Sequence, residues 1–218
     1  MSQRMIYQTD ATRSKILEHA ERCFSEHGFF ETQMKDIAIA VGMSRNTLYR
    51  YYRDKFELGY AILEKTLRHR FEQLDVKVNQ LLGTAELDIR YELRTLFAEL
   101  YDSADDDLDH RFIAEFDAFY SGERIPEDFR DRLSAAAGID IMSKFEQLVK
   151  RGQQEGNIRT DIDTRIIGIT LSNAIQAFHQ RMILRKGALV EFKQDQPSEL
   201  TPVLITLLID GLQPSQAK

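Results

Sequence analysis

The sequence predicts an all-α protein in two parts: an N-terminal three-helix head built around a helix-turn-helix, and a C-terminal helical bundle. Three observations lead there. Only four of the 218 residues are proline and eleven glycine, few for a chain of short strands and tight turns. Leu, Glu, Arg, Lys and Ala recur at helical spacing through most of the length. Between residues 32 and 55 a helix cap, an apolar stripe, a glycine, a second cap and a basic segment follow in the order that two helices joined by a tight turn require.

The first helix is expected from about Thr12 to His27, where Ile16, Leu17, Ala20, Cys23 and Phe24 share one face, and Gly28 ends it. Cys23 lies on that stripe and reads as a small core residue rather than a reactive thiol. Thr32 is the expected cap of a second helix whose Met34, Ile37, Ala38 and Val41 fall at i, i+3, i+4 and i+7. Gly42 stops it in the left-handed conformation, with Met43 folding back on the last turn. Ser44 caps a short third helix. Asp54 caps a long fourth, striped by Leu67, Phe71, Leu74, Val78 and Leu81.

Further helices are expected over 86–103 (Ile89, Leu93, Leu96, Phe97, Leu100) and 107–121, the latter opening on the solvated acidic run Asp105 to Asp109. Ser121-Gly122 punctuates the chain. Pro126 opens a segment to about Gly152, bent at Ala137-Gly138. Thr160 and Asp163 have capping-box spacing ahead of a helix over 162–186, which Gly187 ends. A loop over 188–198 then leads to a last apolar helix with Pro202 in its first turn and Val203 to Ile209 along it. The division is expected to be residues 1–55 and 56–218.

Charge separates the two parts. The net charge of −6 is wrong for a nucleic-acid binder until the chain is divided. Residues 1 to 70 carry 12 Lys and Arg against 9 Asp and Glu, and the remainder 17 against 26. A basic module on an acidic body suits a head that meets a polyanion and a body that does not. A third helix starting at Ser44 turns Arg45, Asn46, Thr47 and Arg50 outward, while Leu48 and Tyr52 anchor its inner side. Arg reaches guanine's major-groove acceptors, Asn pairs with adenine, and Thr contacts thymine or phosphate. Thr32, Lys35, Tyr49, Tyr51 and Lys55 are candidate phosphate contacts, which fix register without reading sequence.

Three runs carry a resemblance: Thr32-Gln33-Met34-Lys35-Asp36-Ile37-Ala38, then Val41-Gly42-Met43-Ser44, then Thr47-Leu48-Tyr49-Arg50-Tyr51-Tyr52-Arg53-Asp54-Lys55. The chain resembles the TetR family of bacterial regulators over about residues 12 to 63. The resemblance implies that Tyr49 and Lys55 contact phosphates, that Thr32 or Gln33 does so at the start of the second helix, and that Arg45 to Thr47 read bases. The candidate DNA-contacting set is therefore Thr32, Gln33, Lys35, Ser44, Arg45, Asn46, Thr47, Tyr49, Arg50, Tyr51 and Lys55. Asn46 stands where the family often has glycine, and Arg50-Tyr51 replaces a frequent Tyr-His pair; both changes bear on which operator is chosen.

The resemblance also implies a helical ligand-sensing and dimerisation domain. Residues 162–186 and 199–211 have the broad apolar faces of helices packed against two-fold mates. Phe112, Phe116, Phe119, Tyr120, Met142, Phe145, Asn173, Gln176 and His179 are candidate lining for a small-molecule pocket, since such sites combine aromatics with a few polar groups. Each also reads as plain core. The expected partners are a double-stranded DNA operator, a small-molecule effector and a second copy of the chain.

Two rival classes fit the sequence less well. A helical-bundle enzyme lacks its parts: there is no Glu-x-x-His pair, no His-Glu-x-x-His, no Gly-x-Ser-x-Gly and no phosphate-cradling glycine loop. Asp107 and His110 have a metal-like separation but read as isolated on an acidic surface. No catalytic residue, metal or cofactor is expected. An architectural DNA binder without an effector would need only the head and a dimer contact, which leaves a body of about 150 residues without a task. A single cysteine allows no internal disulfide, and no signal or membrane pattern is visible, so a cytoplasmic protein is expected.

Overall fold

A computed structural model describes residues 3–101, 108–120, 127–137, 140–185, 188–190 and 200–214. Among the described residues the regular structure is helical: α1 (Gln3–His27), α2 (Met34–Val41), α3 (Arg45–Tyr49), α4 (Lys55–Gly83), α5 (Ile89–Tyr101), α6 (Leu108–Phe119), α7 (Phe129–Ala137), α8 (Ile141–Gln154), α9 (Thr164–Arg185) and α10 (Leu200–Asp210). The expected Ser121-Gly122 break, the Pro126 start, the Gly138 bend, the Gly187 stop, residues 105–107 of the acidic run and most of the 188–198 loop lie outside the described residues. The chain forms two compact units, Met1–Arg68 with Leu108–Ala136, and His69–Asp107 with Ala137–Lys218.

In the first unit, α1 starts nine residues before the expected Thr12; residues 3–11 hold no glycine or proline to stop it. The cap of α2 is Gln33, not Thr32. Gln33 has extended backbone, and its N–H donates to the Asp36 carboxylate at 3.0 Å. Thr32 is buried and faces backward: its hydroxyl lies 2.7 Å from the Gly28 carbonyl and 3.1 Å from that of Cys23, closing the end of α1. A Thr one residue too early cannot reach the first amides of α2, but it can satisfy orphan carbonyls behind it.

The turn itself is as its sequence predicts. Gly42 sits at φ 78° and ψ 37°, and the amides of Gly42 and Met43 donate to Ile39 at 3.0 Å and Ala38 at 2.9 Å. That pairing satisfies the last carbonyls of α2 and needs a residue at ease with positive φ. Ser44 then accepts from the Thr47 amide at 3.1 Å, and Asp54 from the Glu57 amide at 2.8 Å, so α3 and α4 both start on side-chain caps.

The core of this unit is aromatic. Phe24, Phe29 and Phe116 are fully buried with Ile16, Ile37, Leu48, Leu58 and Ile62 around them. Phe29 meets the rings of Phe24, Phe30, Phe56, Phe112, Phe116 and Phe119 at centroid distances of 5.1 to 6.4 Å. α4 approaches closely enough that a Cβ on Gly59 would lie 2.7 Å from the Phe116 ring and 2.9 Å from that of Phe29. Both rings are wedged by others and have nowhere to retreat. Gly59→Ala is therefore expected to destabilise the protein by about 1–3 kcal/mol, read as a lowered denaturation midpoint; an unchanged midpoint contradicts the tight approach.

In the second unit, Leu74 and Val78 of α4 pack with Ile89, Leu93 and Phe97 of α5, Phe145, Leu148 and Val149 of α8, Ile167, Leu171 and Ile175 of α9, and Ile205 and Ile209 of α10. α8 starts at its own cap, Asp140, whose carboxylate accepts from the Ser143 amide at 3.0 Å; the expected bent segment is thus two helices. α9 is capped by Asp163, which accepts from Arg165 and Ile166 at 3.0 and 3.2 Å. Thr160 stands four residues before the first helical residue, too far to cap it. Apolar side chains remain exposed on both last helices: Ile166, Ile169 and Leu184 on α9, Val203 and Leu207 on α10.

Candidate nucleic-acid interface

Three helix starts converge in the first unit. The beginning of α2, the body of α3 and the beginning of α4 enclose a recess of about 240 Å³ lined by Thr32, Gln33, Met34, Lys35, Arg45, Tyr49 and Lys55. Six of these seven belong to the DNA-contacting set proposed from sequence. The seventh, Met34, is a core residue of α2 that also floors the recess.

Lys55 is the most constrained of the group. Its Nζ donates to the Phe29 carbonyl at 2.7 Å and the Phe30 carbonyl at 3.0 Å, and lies 4.8 Å from the centroid of the Phe29 ring. Burial pulls its pKa below the ordinary lysine value, with Glu31 opposing that shift. An ammonium has three N–H donors, so two are committed to the turn and one remains for an oxygen in the recess. Nothing in the local sequence announces this pairing, which joins residues 25 and 26 positions apart.

The remaining candidates lie on or beside α3. Arg45, Asn46, Tyr49 and Arg50 are exposed, as the outward face requires. Ser44 and Thr47 hydroxyls lie 2.9 Å from each other, so both are already engaged in starting the helix. Tyr51 is half-buried against the head core, and Leu48 and Tyr52 are buried. The arrangement offers guanidinium and amide donors on one face of a short helix, with a cationic recess beside it. Such a surface suits a duplex: base edges for the helix, phosphate oxygens for the recess.

The nine candidate pocket residues are divided between the two units. Phe112, Phe116, Phe119 and Tyr120 belong to the first unit, where they fill the aromatic core; Phe56 stacks on Phe119 at 4.6 Å and Tyr60 lies 5.1 Å from Tyr120. Met142, Phe145, Asn173, Gln176 and His179 belong to the second. There Phe145 stacks on Phe97 at 5.5 Å, and Met142, Asn173 and Gln176 are exposed. His179 is buried, with Nδ1 3.4 Å from the Thr201 hydroxyl and its ring 5.1 Å from that of Tyr101, whose hydroxyl is pushed up to about 12 by burial. Aromatic density marks a packed core as readily as a pocket, and sequence alone does not separate the two. His110, read as a surface residue, is buried.

Comparison with known proteins bears on the same segment. A family model described as bacterial regulatory proteins, tetR family, matches residues 16–61, which run from within α1 through α2 and α3 into α4. Over those residues the chain matches the TetR family. The HTH-type transcriptional repressor AcnR of Corynebacterium efficiens is 24% identical to this chain over 177 residues, covering 78% of it and 81% of AcnR. Among solved structures, a TetR-family regulator from Pectobacterium atrosepticum matches over 100% of both chains with a TM-score of 0.68 and 18% identity. FadR of Thermus thermophilus, described as a TetR-family repressor in complex with lauroyl-CoA, matches over 94% of this chain and 97% of its own with a TM-score of 0.61 and 22% identity. At these identities the structural likeness establishes the fold.

Proposed function

We propose that this chain is a transcriptional repressor that binds a palindromic operator as a homodimer and is released by a small molecule. The observation that carries the reading is the recess between α2, α3 and α4, whose Lys35, Arg45 and Lys55 stand beside the exposed Asn46 of α3 and Arg50 at its end. Arg45, Asn46 and Thr47 read base edges; Gln33, Lys35, Ser44, Tyr49, Arg50, Tyr51 and Lys55 hold the phosphates on either side, while Thr32, whose hydroxyl and amide are spent on the end of α1, has no donor for one and shapes the recess only. Two copies would set their α3 helices in successive major grooves, about 34–36 Å apart. Occlusion of the promoter then represses. The name of the AcnR relative as a repressor supports that sign of control.

Self-association is supported by the exposed apolar side chains of α9 and α10, which a second copy would cover. Release by a ligand is supported by the lauroyl-CoA complex of the T. thermophilus FadR. A ligand acts if it binds more tightly to those dimers whose α3 helices are not one helical turn apart, since it can shift the population only by that difference in affinity. Such a protein works in the cytoplasm, where the operator is.

Selection from a random-sequence duplex library tests the reading. The expected product is a palindrome with half-sites about one turn apart, and recovery of no common sequence counts against it. On that duplex Tyr49→Ala should weaken binding to every sequence alike and flatten the dependence of log affinity on log salt by about one. A full-strength, full-slope Tyr49→Ala complex removes Tyr49 from the phosphate contacts.

A further inference from the structure

The turn between α1 and α2 is gripped from two sides. On one side the Phe29 amide donates to Glu115 Oε2 of α6 at 2.5 Å, and the other carboxylate oxygen accepts from Arg111 Nε at 2.9 Å. On the other side the Phe29 and Phe30 carbonyls accept from Lys55 Nζ. Gly28, at φ 84°, makes room for this arrangement: a Cβ there would lie 3.0 Å from Glu115 Oε2 and 3.2 Å from Oε1. Glu115 is 12% exposed in its side chain, so its bond to the amide is charge-assisted and largely shielded from water. Thus one residue of the turn, Phe29, is anchored through its N–H to α6, and through its carbonyl to the lysine that lines the recess.

We infer that Glu115 is a positioning residue for the phosphate recess, acting on Lys55 through the turn. This rests on the reading of the recess as a DNA-contacting site. Without the carboxylate, the Phe29 amide is left unpaired among aromatic rings and must rotate or move to find water. The Phe29 and Phe30 carbonyls move with it. Lys55 then loses the two acceptors that fix its ammonium, and its remaining N–H is no longer presented at a constant place. Thr32 and Gln33, which follow on the same turn, shift in register with it. α6 is remote in sequence from every residue of the recess, so its control over the recess is conferred by this carboxylate.

The test uses the full-length protein and a labelled 30-base-pair duplex of arbitrary sequence, titrated at several salt concentrations between 50 and 200 mM. Wild type, E115A and E115Q are compared. The amide oxygen of E115Q can still accept from Phe29, so E115Q should bind near wild-type strength, while E115A should lose about tenfold in affinity with its salt slope reduced by about one. A helix-capping role alone would lower the melting temperature of E115A without altering the slope of the folded protein, and that outcome overturns the inference. So does wild-type affinity in E115A, or equal loss in E115A and E115Q. Should E115A not fold, E115D keeps the charge beside Arg111 but withdraws it by one methylene; it is expected to follow the E115A pattern, and wild-type binding by E115D overturns the proposal. Failure of the wild type itself to bind the duplex overturns the DNA-binding reading as well, which separates the two results.

Discussion

Phe29→Ala is expected to lower stability by about 3–5 kcal/mol, a large share of what a domain of this size ordinarily possesses. Phe29 has no exposed surface, and its ring lies at the centre of six others. Removing it leaves a cavity whose walls are rings from α1, α4 and α6, each held by further rings, so collapse can recover little of the lost contact. It also removes the surface under the Lys55 ammonium, 4.8 Å above the ring. The loss is read by urea denaturation followed by circular dichroism. A change below about 1 kcal/mol would mean that the neighbouring rings repack freely, against the close-packed interior described for this unit.

Leu207→Glu is expected to leave each chain folded and to break the proposed dimer. Leu207 is 65% exposed on α10, so within one chain a carboxylate there meets water and costs little. Against a second copy it would bring two like charges to a desolvated apolar face. Sedimentation should show a shift from dimer to monomer, and affinity for the selected palindromic duplex should fall on the order of a hundredfold, because each half-site then binds alone. Retention of the dimer would move the association surface away from this face of α10.

The all-α class and the helix-turn-helix were legible because their determinants are local. The apolar spacing of Met34, Ile37, Ala38 and Val41, the glycine at 42 and the Ser44 cap act within a few residues of one another, and the structure has each of them in its expected role. Helix ends were less legible where two residues compete for one task. Thr32 is the cap the sequence suggests, yet the position falls to Gln33 because the Thr32 hydroxyl is drawn back to Gly28 and Cys23. Thr160 and Asp163 pose the same choice at α9, where the adjacent carboxylate prevails.

What holds the candidate site was hidden altogether. Six residues of the recess could be named from their motif, but Lys55 meets Phe29 and Phe30 across 25 and 26 positions, and Glu115 meets Phe29 across 86. No periodicity encodes a bond of that span. The aromatics of α6 show the same limit: Phe112 and Phe116 have the composition of a ligand site, yet their partners are Phe24 and Phe29, far earlier in the chain.

Cys23, the single cysteine of the sequence, gives the head a property of another kind. It is buried on α1, its carbonyl lies against Thr32, and burial, aided by Glu26 and Asp36, pushes its thiol pKa above the ordinary value. A thiol so placed is inert while the first unit is closed and alkylates only in molecules that have opened around α1. The molecule therefore carries an internal clock: the rate at which a thiol reagent consumes Cys23 counts the openings of the head, one chain at a time, without any label being introduced.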